Sequence, residues 1–175
     1  MVAPGLRLRV LVRDTVAMNI PDELSALFHR DLTRLLQQLQ AFPSEGALWE
    51  RAGGISNSAG NLVLHLEGNL REYIGRQLGK VPYRRERALE FSRTKVPTIE
   101  LVQRIEEVRK LVPAAISRLS TEEFEMLYPE KVLGASLSTR MFLIHLYGHL
   151  NYHLGQIDYL RRVLTGDSAV DYAGL

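Results

Sequence analysis

The sequence predicts an all-α protein, a four-helix bundle, on three observations. Four long stretches carry apolar residues at three- and four-residue spacing. These stretches are set off by residues that cap or break helices. The only strand-like alternation, near the N-terminus, is too weak to build a sheet.

At 175 residues the chain is sized for one domain with a sizeable core. Hydrophobic residues make up 46% and charged residues 24%, an ordinary globular balance. A net charge of +2 is too slight a basic bias to argue for nucleic acid. The absence of cysteine excludes disulfides, thiolate metal ligands and a cysteine nucleophile. No apolar run approaches the roughly 20 residues that a membrane span needs. Arg7, Arg9 and Arg13 interrupt any signal-peptide core. The expectation is a soluble cytoplasmic protein, with no nucleic-acid or membrane partner.

Residues 1–19 read as an N-terminal arm and residues 20–175 as a single bundle domain. Within the arm, GLRLRVLVR alternates apolar and basic side chains, as a short strand or an extended segment does. With Met18 as the true start, residues 1–17 would instead be an upstream extension. The first helix follows, with Asp22 as its cap after Pro21. Leu24, Leu27, Phe28, Asp31, Leu32, Leu35, Leu36 and Leu39 give its helical spacing, and Pro43 and Gly46 end it. A loop holds Trp49 and the pair Gly53-Gly54.

Ser56 or Ser58 can cap a second helix over roughly residues 58–79, with Leu62, Leu66, Leu70, Tyr73 and Ile74 on its apolar face. Residues 80–97 carry Pro82, Pro97 and the basic run Arg84, Arg85, Arg87, Arg93 and Lys95. They read as a solvated connection longer than a hairpin. Thr98 is the expected cap of a third helix through Ile99, Val102, Ile105 and Val108, with Pro113 kinking it or tightening its end. Ser120 to Glu123 form a capping box for a short turn. Ser138 can start the fourth long helix, which runs to about Thr165 with Gly166 as its C-cap.

That last helix holds three of the five histidines, His145, His149 and His153, four residues apart. On a helix, i and i+4 differ by about 40° in direction, so a neighbouring pair can converge on one ion. His145 and His153 lie about 12 Å apart along the axis, too far to share one. A stable metal site needs a third protein ligand. The second helix offers His65, on a face with Asn61, Leu62, Leu66, Asn69 and Glu72. An imidazole among core-facing leucines needs a polar partner, because burying it without one costs free energy. Glu67 points about 200° away and is a poor ligand. On spacing alone, a hydrogen-bonded core histidine remains the plainer reading of His65.

NLVLHLEGNLREYI, followed about eighty residues later by HLYGHLNYHLGQIDYLRRVL, resembles the DinB/YfiT-like family of metalloproteins. The residues that carry the likeness are Asn61, His65, Gly68-Asn69, His149, Tyr152, His153, Gly155 and Gln156. It covers about residues 20–166. The resemblance implies an up-down-down-up four-helix bundle and a likeness to proteins that often form homodimers. It implies a divalent metal, zinc or nickel, held by His65, His149 and His153. Characterised relatives use low-molecular-weight thiols, among them bacillithiol S-transferases and mycothiol-dependent maleylpyruvate isomerase.

A thiol-dependent S-transferase is therefore the first expectation. A metal-dependent hydrolase and a non-catalytic metal-binding bundle are the alternatives. A metal held by neutral imidazoles keeps its positive charge and lowers the pKa of a bound water or thiol, which serves either chemistry. His145, Tyr152, Gln156 and Asn69 are the pocket candidates. Asn61, Asn69, Tyr152 and Gln156, with Glu72 behind them, are candidates to orient the imidazoles. Tyr152 reads more readily as bundle packing than as a proton donor. The basic run over residues 84–95 would reach a carboxylate-bearing thiol only by folding over the metal.

Overall fold

The computed structural model describes residues 19–132 and 134–172, so the readings of residues 1–18 lie outside the described residues. Helix α1 spans Ile20–Gln40. Asn19, not Asp22, caps it: the Asn19 side chain accepts the Asp22 N–H at 2.9 Å. Pro21 then falls in the first turn, where a missing N–H is harmless. Leu24, Phe28, Leu32, Leu35, Leu36 and Leu39 are buried, as their spacing requires.

The segment expected as a loop contains a short helix α2, Glu45–Trp49, capped by Ser44. Helix α3 spans Ala59–Leu70 and opens with a reciprocal box, Ser58 and Asn61 each bonding the other's backbone N–H. Its sequence pattern points to one apolar face, yet all twelve of its residues are buried. It is enclosed on every side, and its polar residues must find partners inside the protein. The helix continues not as α but as a π-helical turn, Arg71–Arg76. A Cβ on Gly75 would lie 2.7 Å from the Cδ2 of Leu111, so a larger residue there would have to push that side-chain end aside.

The basic connection is not a plain solvated loop. It contains helix α4, Arg87–Ser92. Helix α5 spans Thr98–Ser117 and begins after Pro97 with no side-chain cap. Thr98, the expected cap, instead gives its backbone N–H to Glu45 Oε1 at 3.0 Å. The helix passes through Pro113 and runs on to Ser117. The Ser25 and Ser117 hydroxyls donate to the Pro113 carbonyl, at 3.1 and 3.0 Å. Helix α6 is Thr121–Glu125, with the Ser120/Glu123 box. Helix α7 is Thr139–Thr165, capped by Ser138 and ended by Gly166 at φ 73°, a left-handed turn that glycine adopts freely. Among the described residues there is no strand, only two isolated bridges.

The protein is thus built on four long helical segments around one hydrophobic cluster that includes Phe28, Leu66, Leu70, Ile105, Leu143 and Leu150. Helix α1 packs along α5 and against α7, while α3 packs against α4, α5 and α7. No helix among the described residues is long and apolar enough to cross a membrane. One polar cluster joins α1 to α7. The fully buried Asp31 accepts from Arg30, Arg34 and the Tyr147 hydroxyl, at 2.8 to 3.0 Å.

Burial alone would raise the Asp31 pKa, but the hydrogen bonds from Arg30 and Tyr147 overcome it and hold the carboxyl below its ordinary value of 3.8. A carboxyl depressed on folding stabilises above its unfolded pKa, and that contribution is lost as pH falls through the folded value. Asp31→Asn should therefore flatten the acid limb of stability against pH, measured as urea midpoints from pH 7 to pH 2. An acid limb as steep as that of the unmutated protein would show that this carboxylate does not carry it.

Candidate metal centre

His65 sits in the middle of the enclosed helix α3, 7% exposed. Its Nδ1 lies 2.8 Å from Glu90 Oε2, a carboxylate on α4. Glu90 is itself buried and is clamped by Arg85, whose Nε and Nη2 donate to Oε1 and Oε2 at 2.6 and 2.9 Å. Burial pushes the Glu90 pKa up, yet bonds from Arg85 and His65 outweigh it and keep the carboxyl below its usual range. Arg85 also stacks over the Tyr73 ring, 5.6 Å from its centroid.

Two features of the sequence make this arrangement fit. A Cβ on Gly68 would stand 2.3 Å from Glu90 Oε1, so only glycine leaves a slot for the carboxylate. Asn61 does not touch the imidazole. Its amide donates to the carbonyls of Glu90 and Arg93, at 3.1 and 2.9 Å, and pins α4 to the start of α3.

Across from His65, α7 presents His149 and His153. The Nε2 atoms of His65 and His153 each lie 3.1 Å from His149 Nε2. The three ring planes are nearly perpendicular, at 78°, 89° and 87° to one another. His153 Nδ1 meets Gln156 Oε1 at 2.7 Å. Burial first, and then the neighbouring His153 and His65, push the His149 pKa down to about 4. Burial also lowers that of His153. Both rings are neutral near pH 7.

The donor set fits a metal ion. His65 Nδ1 faces a carboxylate and His153 Nδ1 faces an amide oxygen. Each therefore carries its proton on Nδ1 and aims the lone pair of Nε2 inward. A proton on His149 Nε2 can answer only one of those two lone pairs. A lone pair there instead leaves the buried His149 Nδ1–H without an acceptor, since this atom has no partner among the described residues. Three inward lone pairs are what a cation satisfies. Nitrogens bound tetrahedrally at zinc distances stand about 3.3 Å apart. The observed separations of 3.1 Å are close to this, and one ligand atom from each of the three residues falls within 4.8 Å of the others.

The other candidate residues divide. Gln156 reaches a triad ring directly. Asn69 is buried with its Oδ1 unpartnered among the described residues. Tyr152 is not bundle packing: it is 64% exposed and stands edge-on to the His153 ring at 5.1 Å. His145 is exposed and stacks on Phe142 at 6.0 Å, outside the triad. Glu72 pairs with Arg76, away from the imidazoles. Glu67 is buried and bonded to Arg71 and Arg104, in keeping with its direction on the helix. Glu90 and Arg85 are the residues that sequence reasoning missed as partners of His65. Arg85 read as a solvated loop residue, but it faces inward.

No protein-family model and no curated protein matches the sequence. Solved structures do. A DinB-like protein from Bacillus cereus ATCC 10987 superposes with a TM-score of 0.63 at 16% identity, over 85% of this chain and 94% of that one. A conserved protein from Enterococcus faecalis gives 0.69 at 15% identity, over 86% of this chain and all of that one, 100%. At these identities the likeness establishes the fold: the chain has the helical fold of DinB-like proteins.

The geometry predicts that Glu90 and its slot set the metal affinity of His65. Glu90→Gln should weaken zinc binding by about 10- to 100-fold, the usual effect of removing a carboxylate behind a ligating histidine. Gly68→Ala should act in the same direction by displacing that carboxylate. Chelator competition reads both, with circular dichroism to show retained helix. Unchanged affinity in both variants would break the link between Glu90 and the site.

Proposed function

We propose that the protein is a divalent-metal-dependent enzyme that transfers a low-molecular-weight thiol to a small electrophile, with the ion held by Nε2 of His65, His149 and His153. The observation that carries the metal reading is the inward convergence of these three nitrogens, two of them fixed in tautomer by Glu90 and Gln156. Imidazole ligands suit zinc and nickel. When bound, such an ion supplies Lewis acidity that favours the deprotonated form of a coordinated thiol or water.

The chain's own residues do the positioning. Glu90, anchored by Arg85, fixes the orientation of the His65 ring as a ligand. Gln156 does the same for His153. His149 stays neutral by burial, so protons compete weakly for its nitrogen. The chain has no cysteine, so the thiol must arrive with the cosubstrate. Three protein ligands leave room in the coordination sphere for a substrate atom, the arrangement of catalytic rather than structural zinc sites.

Two outcomes follow. Untagged protein should carry about one divalent ion per chain, and His65→Ala, His149→Ala and His153→Ala should each lose it in elemental analysis. His145→Ala should keep it. Retention in all three of the first variants would end the ligand assignment, and loss in His145→Ala would move it one turn along α7. In addition, the metal-loaded protein should conjugate monochlorobimane only when a low-molecular-weight thiol is supplied. Ester cleavage without thiol, and no conjugation with it, would favour a hydrolase in the same centre.

A further inference from the structure

Beside the centre runs a groove of about 580 Å³ between the 52–57 loop and the C-terminal half of α7. Its floor is Leu62 and Leu160, both part of the core. Its walls include Ile55, Tyr159 and Val163, which are 49%, 69% and 68% exposed. These side chains stand over an apolar floor, the kind of lining that small-molecule sites present. Gly53 and Gly54 form part of the loop side, and a Cβ on either would meet nothing within 4 Å. The volume lies in the range of small-molecule sites, which are largely apolar with few polar groups.

The groove adjoins the candidate centre through Gln156 on α7 and through Leu62 on α3. Gln156 lines the groove and holds His153 Nδ1 through Oε1. Leu62 lies three residues before His65, less than one turn along α3. A molecule lying on Leu62 and Leu160 would thus have Gln156, which holds one of the three imidazoles, along its path. We infer that this groove binds the apolar part, alkyl or aryl, of the small electrophile that the centre acts on. This rests on the metal-dependent reading above and adds the substrate class to it. Tyr159 and Val163 are then specificity-determining residues that touch the substrate's tail and not its reacting atoms.

The test uses two probes on the protein as purified. N-phenyl-1-naphthylamine, a neutral apolar fluorophore, should bind saturably, and Val163→Asp or Tyr159→Ser should weaken it at least tenfold. Both positions are exposed, so neither change threatens the core. The second probe is a series of straight-chain hydroxamic acids, read by calorimetry on zinc-loaded protein. Affinity should rise by about fourfold per methylene buried in the groove. In Val163→Asp the series should be flat while acetohydroxamate binds as before.

A naphthylamine affinity unchanged in both variants would overturn the proposal, as would a hydroxamate series already flat in the unmutated protein. It would also fall if Val163→Asp turned a dimer into a monomer and neither form bound the fluorophore, since a second copy would then cover the groove. Fluorophore binding that appeared only after deletion of residues 1–18 would assign the groove to the chain's own arm. If no hydroxamate bound at all, yet the fluorophore kept its dependence on Val163 and Tyr159, the metal reading would fail and the groove would stand.

Discussion

A buried imidazole with a fixed tautomer needs a hydrogen-bond acceptor beside it, and where that acceptor is a buried carboxylate it needs a cation in turn. The chain His65–Glu90–Arg85 meets both requirements, and the site is built around it. Taking a carboxylate and a guanidinium out of water costs several kcal/mol per ion, so such a pair is weak support for stability. Replacing it with apolar side chains of similar volume would cost the fold little. What it contributes is direction: Glu90 holds one ring nitrogen so that the other must face α7. The demand reaches back into the fold. Gly68 must lack a side chain, Asn61 must hold α4, and the 80–97 connection must turn inward.

Much of this framework is legible in the sequence, because it rests on local chemistry. Ser58, Ser120, Ser138 and Gly166 act through bonds within one turn, and they start or stop helices where residue type says they should. The caps that failed did so for equally local reasons. Asn19 serves α1 one turn ahead of Asp22, and Thr98 follows a proline whose backbone already occupies the cap position. The His149/His153 pair is legible for the same reason, since i and i+4 share a face.

The remainder depends on contacts distant in sequence. Glu90 is 25 residues from His65, and nothing in RALEFS marks one glutamate as internal. The nearest sequence signal is Gly68, a glycine inside an apolar helix, where its propensity cost calls for a reason in packing. The π-helical turn at Arg71–Arg76 also lacks a local signature, and its close approach to Leu111 at Gly75 is a tertiary effect. Enclosure of α3 on every side was hidden because the pattern marks one apolar face, which carries Asn61 and Asn69, while Glu67 points away from it. Their partners for Asn61 and Glu67 come from α4 and α5, elements whose placement only the whole fold decides.

The three histidines are not equivalent, and the difference orients the site. His65 is locked on its buried side by an ion pair and by Phe91, whose ring lies 5.0 Å away. His153 is held by Gln156, an exposed residue on the same helix, and that bond can break without disturbing the core. His149, between them, has no partner for Nδ1 among the described residues, and leaving such a buried group unanswered costs about 1–3 kcal/mol. The rigid wall of the centre is therefore α3 with α4 behind it, and the adaptable wall is the outer side of α7. Under the proposed function, an ion or substrate would enter where a side chain can move at low cost, which is beside His153 and Gln156. Gln156 also lines the apolar groove, so the side of α7 that would admit a ligand is the side that would hold its tail.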